Sequence, residues 1–325
     1  MRQVQFDTPG EPSVLHVAKV PVPEPAAGQV LIKVAAAGVN GPDLYQRQGL
    51  YPPPADASPV LGLEVAGEIV AVGEGEQRWQ PGDNVCALVP GGGYSEYALT
   101  WAGHCLPLPP GWEMAQAAAI PETFFTVWYN LFMRAALQRR ETVLIHGGSG
   151  GIGSAAIQLA KAFDCRVIAT SSNEAKRQYC IKLGADAALD SRHGAFIASV
   201  KTFTDGRGVD VVLDMAGGDN INANLRALAT DGRLVSVACR ESRMAQVDVG
   251  LLMFKRISWS GSALRPLSVA TKTDIAAQLR QQVWPLLANG LLKPHIHQQF
   301  SLSQAADAHA LLQSGRHFGK VVLTP

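Results

Sequence analysis

Cysteine is scarce in this 325-residue chain, which carries only Cys86, Cys105, Cys165, Cys180 and Cys239. Their number is odd, their spacing is wide and no CxxC occurs. That argues against a disulfide framework and against a structural zinc site, and leaves them as small core residues in a reducing compartment. Long apolar runs are missing too: none approaches the roughly 20 residues that a bilayer span requires. The first ten residues, MRQVQFDTPG, contain no apolar segment of the kind a signal peptide needs. Nor is there an excess of charge, since 28 Lys and Arg stand against 27 Asp and Glu. Such a balance offers no electrostatic footprint for nucleic acid or an anionic membrane. The expectation is a soluble cytoplasmic protein.

What is present divides by pattern. The length exceeds what one hydrophobic core usually serves, so two domains are expected. In the first third, segments such as VLIKVA (from Val30) and EVAGEIVAV (from Glu64) are rich in β-branched and small apolar residues. Proline and glycine punctuate them, as in PVPEPAAG, YPPPADASP and VPGGGYSEY. From Glu141 short apolar runs alternate with helical stretches. The candidate strands are TVLIHG, RVIAT, AAL, VDVVLDMA, RLVSVA and ISWSGS, beginning at Thr142, Arg166, Ala187, Val209, Arg233 and Ile257. This βαβ alternation predicts a parallel sheet covered by helices on both faces. After Arg265 a helical stretch, DIAAQLRQQVWPLLANG, leads to an extended HIHQQFSL, a helical SQAADAHALLQSG and a closing strand in GKVVLTP.

The strongest motif is TVLIHGGSGGIG, residues 142–153. A strand enters a glycine-rich turn and a helix of small residues leaves it. Gly147, Gly150 and Gly153 recur every third residue. Such glycines permit a tight turn, close approach of a pyrophosphate and close helix–strand packing. The phosphates then meet unpaired N–H groups at a helix N-terminus. A site for NAD places an acid at the end of the second strand, to hold the ribose 2′-hydroxyl. Here that strand ends in Ile168-Ala169-Thr170, followed by Ser171, Ser172 and Asn173, with Lys176 and Arg177 behind. Hydroxyls and cations suit the 2′-phosphate of NADPH. Glu174 is the one acid nearby, and it lies past the strand end.

Over nearly its full length the chain resembles the quinone oxidoreductase branch of the zinc-free medium-chain dehydrogenases and reductases. The resemblance is carried, in order, by GVNGPDLYQRQGLYPPP (from Gly38), GLEVAGEIVAVG (from Gly62), PGDNV (from Pro81), AAAIPETFFT (from Ala117) and HGGSGGIGSAAIQLAK (from His146). RQGLYPPP, LVPGGG, Met253-Phe254-Lys255-Arg256 and Leu264-Arg265 look closest to its p53-inducible subgroup. The resemblance implies an α/β protein: a Rossmann domain with a doubly wound, six-stranded parallel sheet, inserted into a GroES-like, mainly β catalytic domain. The implied boundaries are 1–121 and 262–325 for the catalytic domain and 122–261 for the Rossmann domain, with an active site in the cleft between them. Asn40, Tyr45 and Tyr51 would line the substrate site. Glu64 and Thr126 would stand near the nicotinamide. Ser149, Gly150, Gly151 and Ile152 would hold the pyrophosphate, and Ser171, Asn173 and Lys176 the adenosine phosphate. Ala238, Cys239 and the segment Ser262 to Arg265, including Leu264, would follow the cofactor, with Phe318 and Lys320 at the closing wall. Where the branch has a tyrosine beside the adenosine phosphate, Ser191 stands; either Arg192 is the electrostatic replacement or the preference for NADPH is weaker than in the branch. A homodimer pairing through the last Rossmann strand is also implied.

The same resemblance makes an absence informative. Zinc alcohol dehydrogenases of the superfamily carry a catalytic Cys where this chain has Asn40, and Gly-His-Glu where it has Gly62-Leu63-Glu64. A catalytic zinc requires three Cys, His or carboxylate ligands, so no metal is expected. His295 and His297 would share a strand face, but one pair makes no site. Quinones accept hydride without a Lewis acid, so the protein's task would be alignment and water exclusion. Asn40 would donate an amide hydrogen bond to a developing oxyanion, and Tyr51 would bond a carbonyl or the nicotinamide ribose. The implied function is NADPH-dependent reduction of a small quinone. The alternatives are enone or enoyl reduction, and non-catalytic NADPH binding.

Overall fold

The computed structural model describes residues 1–55 and 57–325, with His193 by its backbone alone. The chain divides into two compact units, Thr126–Leu264 and the pair of segments Met1–Phe125 and Arg265–Pro325.

In the continuous unit six strands lie side by side in the order Ala187–Asp190, Arg166–Ser171, Thr142–Ile145, Val209–Asp214, Leu228–Ser236 and Ser258–Gly261. Every neighbouring pair is parallel. Counted along the unit this is 3-2-1-4-5-6, the order of a doubly wound dinucleotide fold. Thr142–Ile145 is buried at all four positions. That is what a central parallel strand covered on both faces demands, and why its sequence shows no polar alternation. Helices Gly151–Ala162, Phe196–Phe203 and Asn220–Ala227 flank the sheet. Phe196, Ile221 and Leu225 from two of them pack on Leu144, Ile168, Val212 and Leu234 from the strands. The switch in strand order falls beside Thr142–Ile145, whose C-terminal end feeds the glycine turn.

The discontinuous unit is built on a seven-stranded sheet. Its main path runs Ile296–Ser301, Lys320–Thr324, Gln29–Val39, Glu64–Val72, Asn84–Leu88 and Cys105–Pro107, and Tyr97–Trp101 joins the early part of Gln29–Val39. All pairs are antiparallel except Ile296–Ser301 with Lys320–Thr324. Strand Gln29–Val39 organises the sheet. Its end pairs Val39 with Val321 on one side and Ala37 with Val65 on the other. This register sets Glu64 and Lys320, the first residues of their strands, on either side of Gly38 and Asn40. Val30, Ile32, Val65, Ile69, Val85 and Val321 form the core beneath.

Two local features differ from the sequence pattern. The single helix expected after Asp274 is interrupted: helix Val269–Gln282 ends and Trp284–Ala288 begins anew. Pro285 lacks the N–H that a continuous helix would need and sits instead in the first turn of the second one. The proline-rich first third, expected as strands and loops, also contains helix Gly41–Arg47. Pro42 falls in its first turn, and the Asp43 carboxylate accepts the Asn40 N–H at 2.9 Å, closing the helix start. Among the described residues no helix is long and apolar enough to cross a membrane.

Candidate functional site

In the continuous unit the glycine turn is shaped by backbone contact. Gly147 has φ +59°, a left-handed conformation that glycine adopts without strain. A Cβ on Gly153 would stand 2.3 Å from the Gly147 carbonyl oxygen, so only glycine lets the helix seat this closely. Gly150 caps helix Gly151–Ala162 in an extended conformation, and Ser149 is buried beside it. Among the described residues, the N–H groups of Gly151, Ile152 and Gly153 donate to no protein acceptor. Three orphan amides at the start of a 12-residue helix are what an anion cradle requires, and a dinucleotide pyrophosphate fits them. Below the turn His146 bridges Thr170 Oγ1 (2.9 Å) and Asn224 Oδ1 (2.6 Å), tying the first two strands to the helix beyond the fourth.

The residues expected at the adenosine end are less uniform. Ser171 is buried, and its hydroxyl lies 3.5 Å from Cys180 Sγ, directed into the protein. Asn173 caps helix Glu174–Lys182, its Oδ1 accepting the Lys176 N–H at 3.0 Å. Arg192 is held by the Asp190 carboxylate, which also faces Arg177, so its charge is already answered. Ser191 is half-buried between them. The Lys176 ammonium is pulled below its usual pKa, by partial burial first and by the positive charge of Arg240 second. Two cations that repel each other here suit a dianionic group. The sequence does not mark Arg240, because nothing local ties it to a residue three strands earlier in the chain. Cys239 is exposed and Ala238 half-buried just before it. Ser262 and Thr126 meet through a third residue: Ser262 Oγ donates to Asn130 Oδ1 (2.7 Å), and Asn130 Nδ2 donates to the Thr126 carbonyl (2.8 Å). Leu264 is buried.

In the discontinuous unit, Asn40, Glu64 and Lys320 form one construction. Lys320 Nζ donates to Glu64 Oε1 (2.6 Å), Asn40 Oδ1 (2.5 Å) and the Val39 carbonyl (3.3 Å). Asn40 Nδ2 donates to Glu64 Oε1 (2.9 Å) and, at 3.4 Å, to the Gly38 carbonyl. An ammonium on the amide oxygen and a carboxylate on the amide nitrogen fix which way Asn40 faces. Glu64 Oε2 accepts the Glu122 N–H at 2.8 Å. The ion pair is enclosed, with 4% and 0% side-chain exposure for Lys320 and Glu64. Both therefore act on the site from beneath, holding Asn40 in place, and both protons of the Asn40 amide are directed to protein acceptors. Tyr51 is half-buried, with the Arg265 guanidinium 5.9 Å from its ring centre. Tyr45 lies exposed on helix Gly41–Arg47, and Phe318 is tilted against His297.

Two buried acids accompany the ion pair. Asp43 accepts from the Asn40 N–H, the Gly62 N–H (3.0 Å) and the Tyr94 hydroxyl (3.0 Å). Burial raises its pKa to about 6 against those hydrogen bonds. Because the single Tyr94 proton goes to Asp43, His309 Nε2 must donate to the Tyr94 oxygen (3.1 Å), and burial holds this histidine neutral. Glu122 is pushed up to about 8, by burial first and by the neighbouring Glu64 carboxylate second. No sequence signal singles out Glu122, which is only one letter of AAAIPETFFT.

A zinc ligand set does not fit this site. Asn40 and Leu63 stand where a cysteine and a histidine would be needed, one an amide engaged by an ion pair and the other a hydrocarbon. Among the described residues no group of three His, Cys, Asp or Glu is placed to hold a metal ion.

A doubly wound dinucleotide unit carried within a GroES-like β unit is the architecture of medium-chain dehydrogenases and reductases. Residues 26–110 match the model of the alcohol dehydrogenase GroES-like domain, and residues 151–280 that of the zinc-binding dehydrogenase family. Across 99% of its length the chain is 33% identical to quinone oxidoreductase of Rattus norvegicus, covering 97% of that protein. It is 34% identical, again over 99% of its length, to phthioceranic/hydroxyphthioceranic acid synthase of Mycobacterium tuberculosis, of whose length it spans only 15%. Among solved structures, Escherichia coli quinone oxidoreductase complexed with NADPH gives a TM-score of 0.90 at 30% identity with both chains fully covered. CurK enoyl reductase gives 0.88 at 30% identity, over 99% of this chain and 98% of that one. The chain belongs to the medium-chain dehydrogenase/reductase superfamily.

The ion pair depends on an absent side chain: a Cβ on Gly38 would stand 2.0 Å from Glu64 Oε1. Gly38→Ala is expected to displace the carboxylate from Lys320 and destabilise the fold by about 3–5 kcal/mol, the cost of breaking a buried pair. Gly41→Ala, where a Cβ meets nothing within 4 Å, is the control. Chemical denaturation of both variants checks this.

Proposed function

We propose that the chain is an NADPH-dependent oxidoreductase that reduces a small quinone without a metal. The observation that carries the reading is the Asn40 amide, locked between Lys320 and Glu64 at the position where a zinc relative has a cysteine ligand. With no metal-ligand set among the described residues to build a Lewis acid, the acceptor would be electrophilic by itself, as a quinone is. Bound NADPH would supply the hydride. The amides of Gly151, Ile152 and Gly153 bind the pyrophosphate, and Lys176 with Arg240 takes the 2′-phosphate. Tyr51, with Arg265 over its ring, offers a flat surface on which a planar acceptor stacks. The full-length likeness to rat quinone oxidoreductase supports this reading. A second reading, reduction of an enone or enoyl group, is favoured by the comparable likeness to CurK enoyl reductase.

The reading includes a homodimer. Strand Ser258–Gly261 closes one edge of the six-stranded sheet, with Trp259 41% exposed on it and Met253 and Phe254 exposed on the helix before it. An open edge flanked by apolar surface is suited to pairing with its own copy. Sedimentation equilibrium is expected to give a dimer, and Trp259→Lys a monomer; a monomeric parent protein overturns this part.

The test of function is NADPH consumption with 1,2-naphthoquinone, beside NADH and with a chelator control. Chelator-insensitive turnover that prefers NADPH is expected. Tight NADPH binding without quinone turnover transfers the assignment to the enone reductase or to a non-catalytic binder. Lys176→Ala and Arg240→Ala are each expected to raise the KM for NADPH about tenfold, the effect of about 1.4 kcal/mol, while leaving that for NADH nearly unchanged. Equal effects on both cofactors overturn the 2′-phosphate assignment.

A further inference from the structure

We propose that Glu122 is the general acid of this site, giving its carboxyl proton to the acceptor oxygen that gains negative charge when hydride arrives. The assignment rests on the reductase reading above and adds to it the source of the proton.

The geometry begins with a count of charges. The backbone N–H of Glu122 donates to Glu64 Oε2 at 2.8 Å, which sets the Glu64 carboxylate beside the Glu122 main chain, and the two carboxyl groups act on each other electrostatically. One ammonium, that of Lys320, stands among them, and its hydrogen bonds run to Glu64, Asn40 and the Val39 carbonyl. The Arg265 guanidinium is bound to the Pro90 carbonyl, Gln46 Oε1 and the Ser58 carbonyl, and Lys272 Nζ donates to the Arg265 carbonyl at 2.6 Å. No cation among the described residues forms a salt bridge with Glu122, so its carboxyl is the one for which ionisation is least compensated.

The surroundings act in the same sense. Burial and Glu64 disfavour the carboxylate most, Asp43 adds to them, and Lys320 and Lys272 oppose. On the other side Glu122 reaches Tyr51 and Arg265 electrostatically: its charge makes the Tyr51 phenol harder to ionise and favours the Arg265 cation. The Glu122 carboxyl is thus within electrostatic reach of both the buried ion pair and the aromatic surface assigned to the acceptor. Tyr51 holds its own proton too tightly to release it, while Glu122 carries a proton at neutral pH and loses it near pH 8. Glu122 keeps 8% exposure, and no group among the described residues donates a hydrogen bond to its carboxyl oxygens. It is not among the fully enclosed polar groups that lack a partner, so it stays in reach of the accessible surface.

The step balances. The acceptor takes up hydride, and its carbonyl electrons become an oxyanion. The Glu122 O–H bond breaks as the new O–H bond forms on the acceptor, leaving a carboxylate that water reprotonates. The nicotinamide is oxidised and the acceptor is reduced by two electrons. For an enone the same proton goes to the enolate.

The experiment compares the wild type with the isosteric Glu122→Gln, following single-turnover oxidation of NADPH with 1,2-naphthoquinone and with an α,β-unsaturated ketone from pH 6 to 9.5. The wild-type rate is expected to fall above about pH 8. Glu122→Gln is expected to lose about 100-fold at pH 7 and to show no alkaline fall, with NADPH affinity by fluorescence unchanged. A Gln variant that keeps both the rate and the pH profile overturns the proposal. A wild type that binds NADPH and reduces neither acceptor overturns the functional reading instead. Thermal melts judge the proton independently of turnover. A carboxyl whose pKa is raised on folding loses its stabilising contribution as pH rises from about 4.5 to about 8. The Tm of Glu122→Gln should therefore gain on the wild type across that window and run parallel above it. Parallel curves throughout show that Glu122 holds no extra proton and also overturn the proposal. Should the Gln variant fail to fold, Glu122→Asp is used, and an unaltered pH profile in it counts against the proposal.

Discussion

The Lys320–Glu64 ion pair is the constraint on which the catalytic unit depends. Two charges taken this far from water repay their desolvation only with good geometry and further hydrogen bonds. Both are present: three acceptors for the ammonium, and three donors for the carboxylate from Lys320, Asn40 and the Glu122 backbone. The pair thereby fixes the Asn40 amide, the start of helix Gly41–Arg47 and the start of helix Pro121–Val127 in one arrangement. It joins the last strand of the chain to the first third, across 256 residues. Gly38 belongs to the same construction, because the space its missing side chain leaves is where the Glu64 carboxylate sits.

The Asn40 amide, at the position where the resemblance to zinc relatives would place a cysteine, is part of the ion-pair scaffold. Burial and the Glu64 carboxylate push the Glu122 carboxyl up to about 8, so that its protonated form is favoured at neutral pH. The dinucleotide unit follows a separate logic. Its glycines let a helix approach a strand closely, and the first three amides of that helix have no protein acceptor, so any attraction for an anion there would be a property of the backbone.

Much of this is legible along the chain. The six parallel strands are readable because short runs rich in apolar residues alternate with helical stretches, and the anion cradle because strand, glycines and helix are contiguous. The resemblance to quinone oxidoreductases locates Asn40, Glu64, Thr126, Tyr51 and Lys320. It does not show that Glu64 and Lys320 neutralise each other, that Ser171 turns inward to Cys180, or that Arg192 is held by Asp190. Arg240, Asn130 and Glu122 carry no signal of their own, because each has a partner distant in sequence.

The sequence by itself determined the alternation of elements, the two architectures and the glycine turn, since these are set by periodicity and by glycine over a dozen residues at most. Only the tertiary structure decided which charges meet, which amide is held and which acid keeps its proton. Those outcomes depend on burial and on sheet register. Val39 opposite Val321 and Ala37 opposite Val65 bring Asn40, Glu64 and Lys320 together, and no local pattern encodes that register.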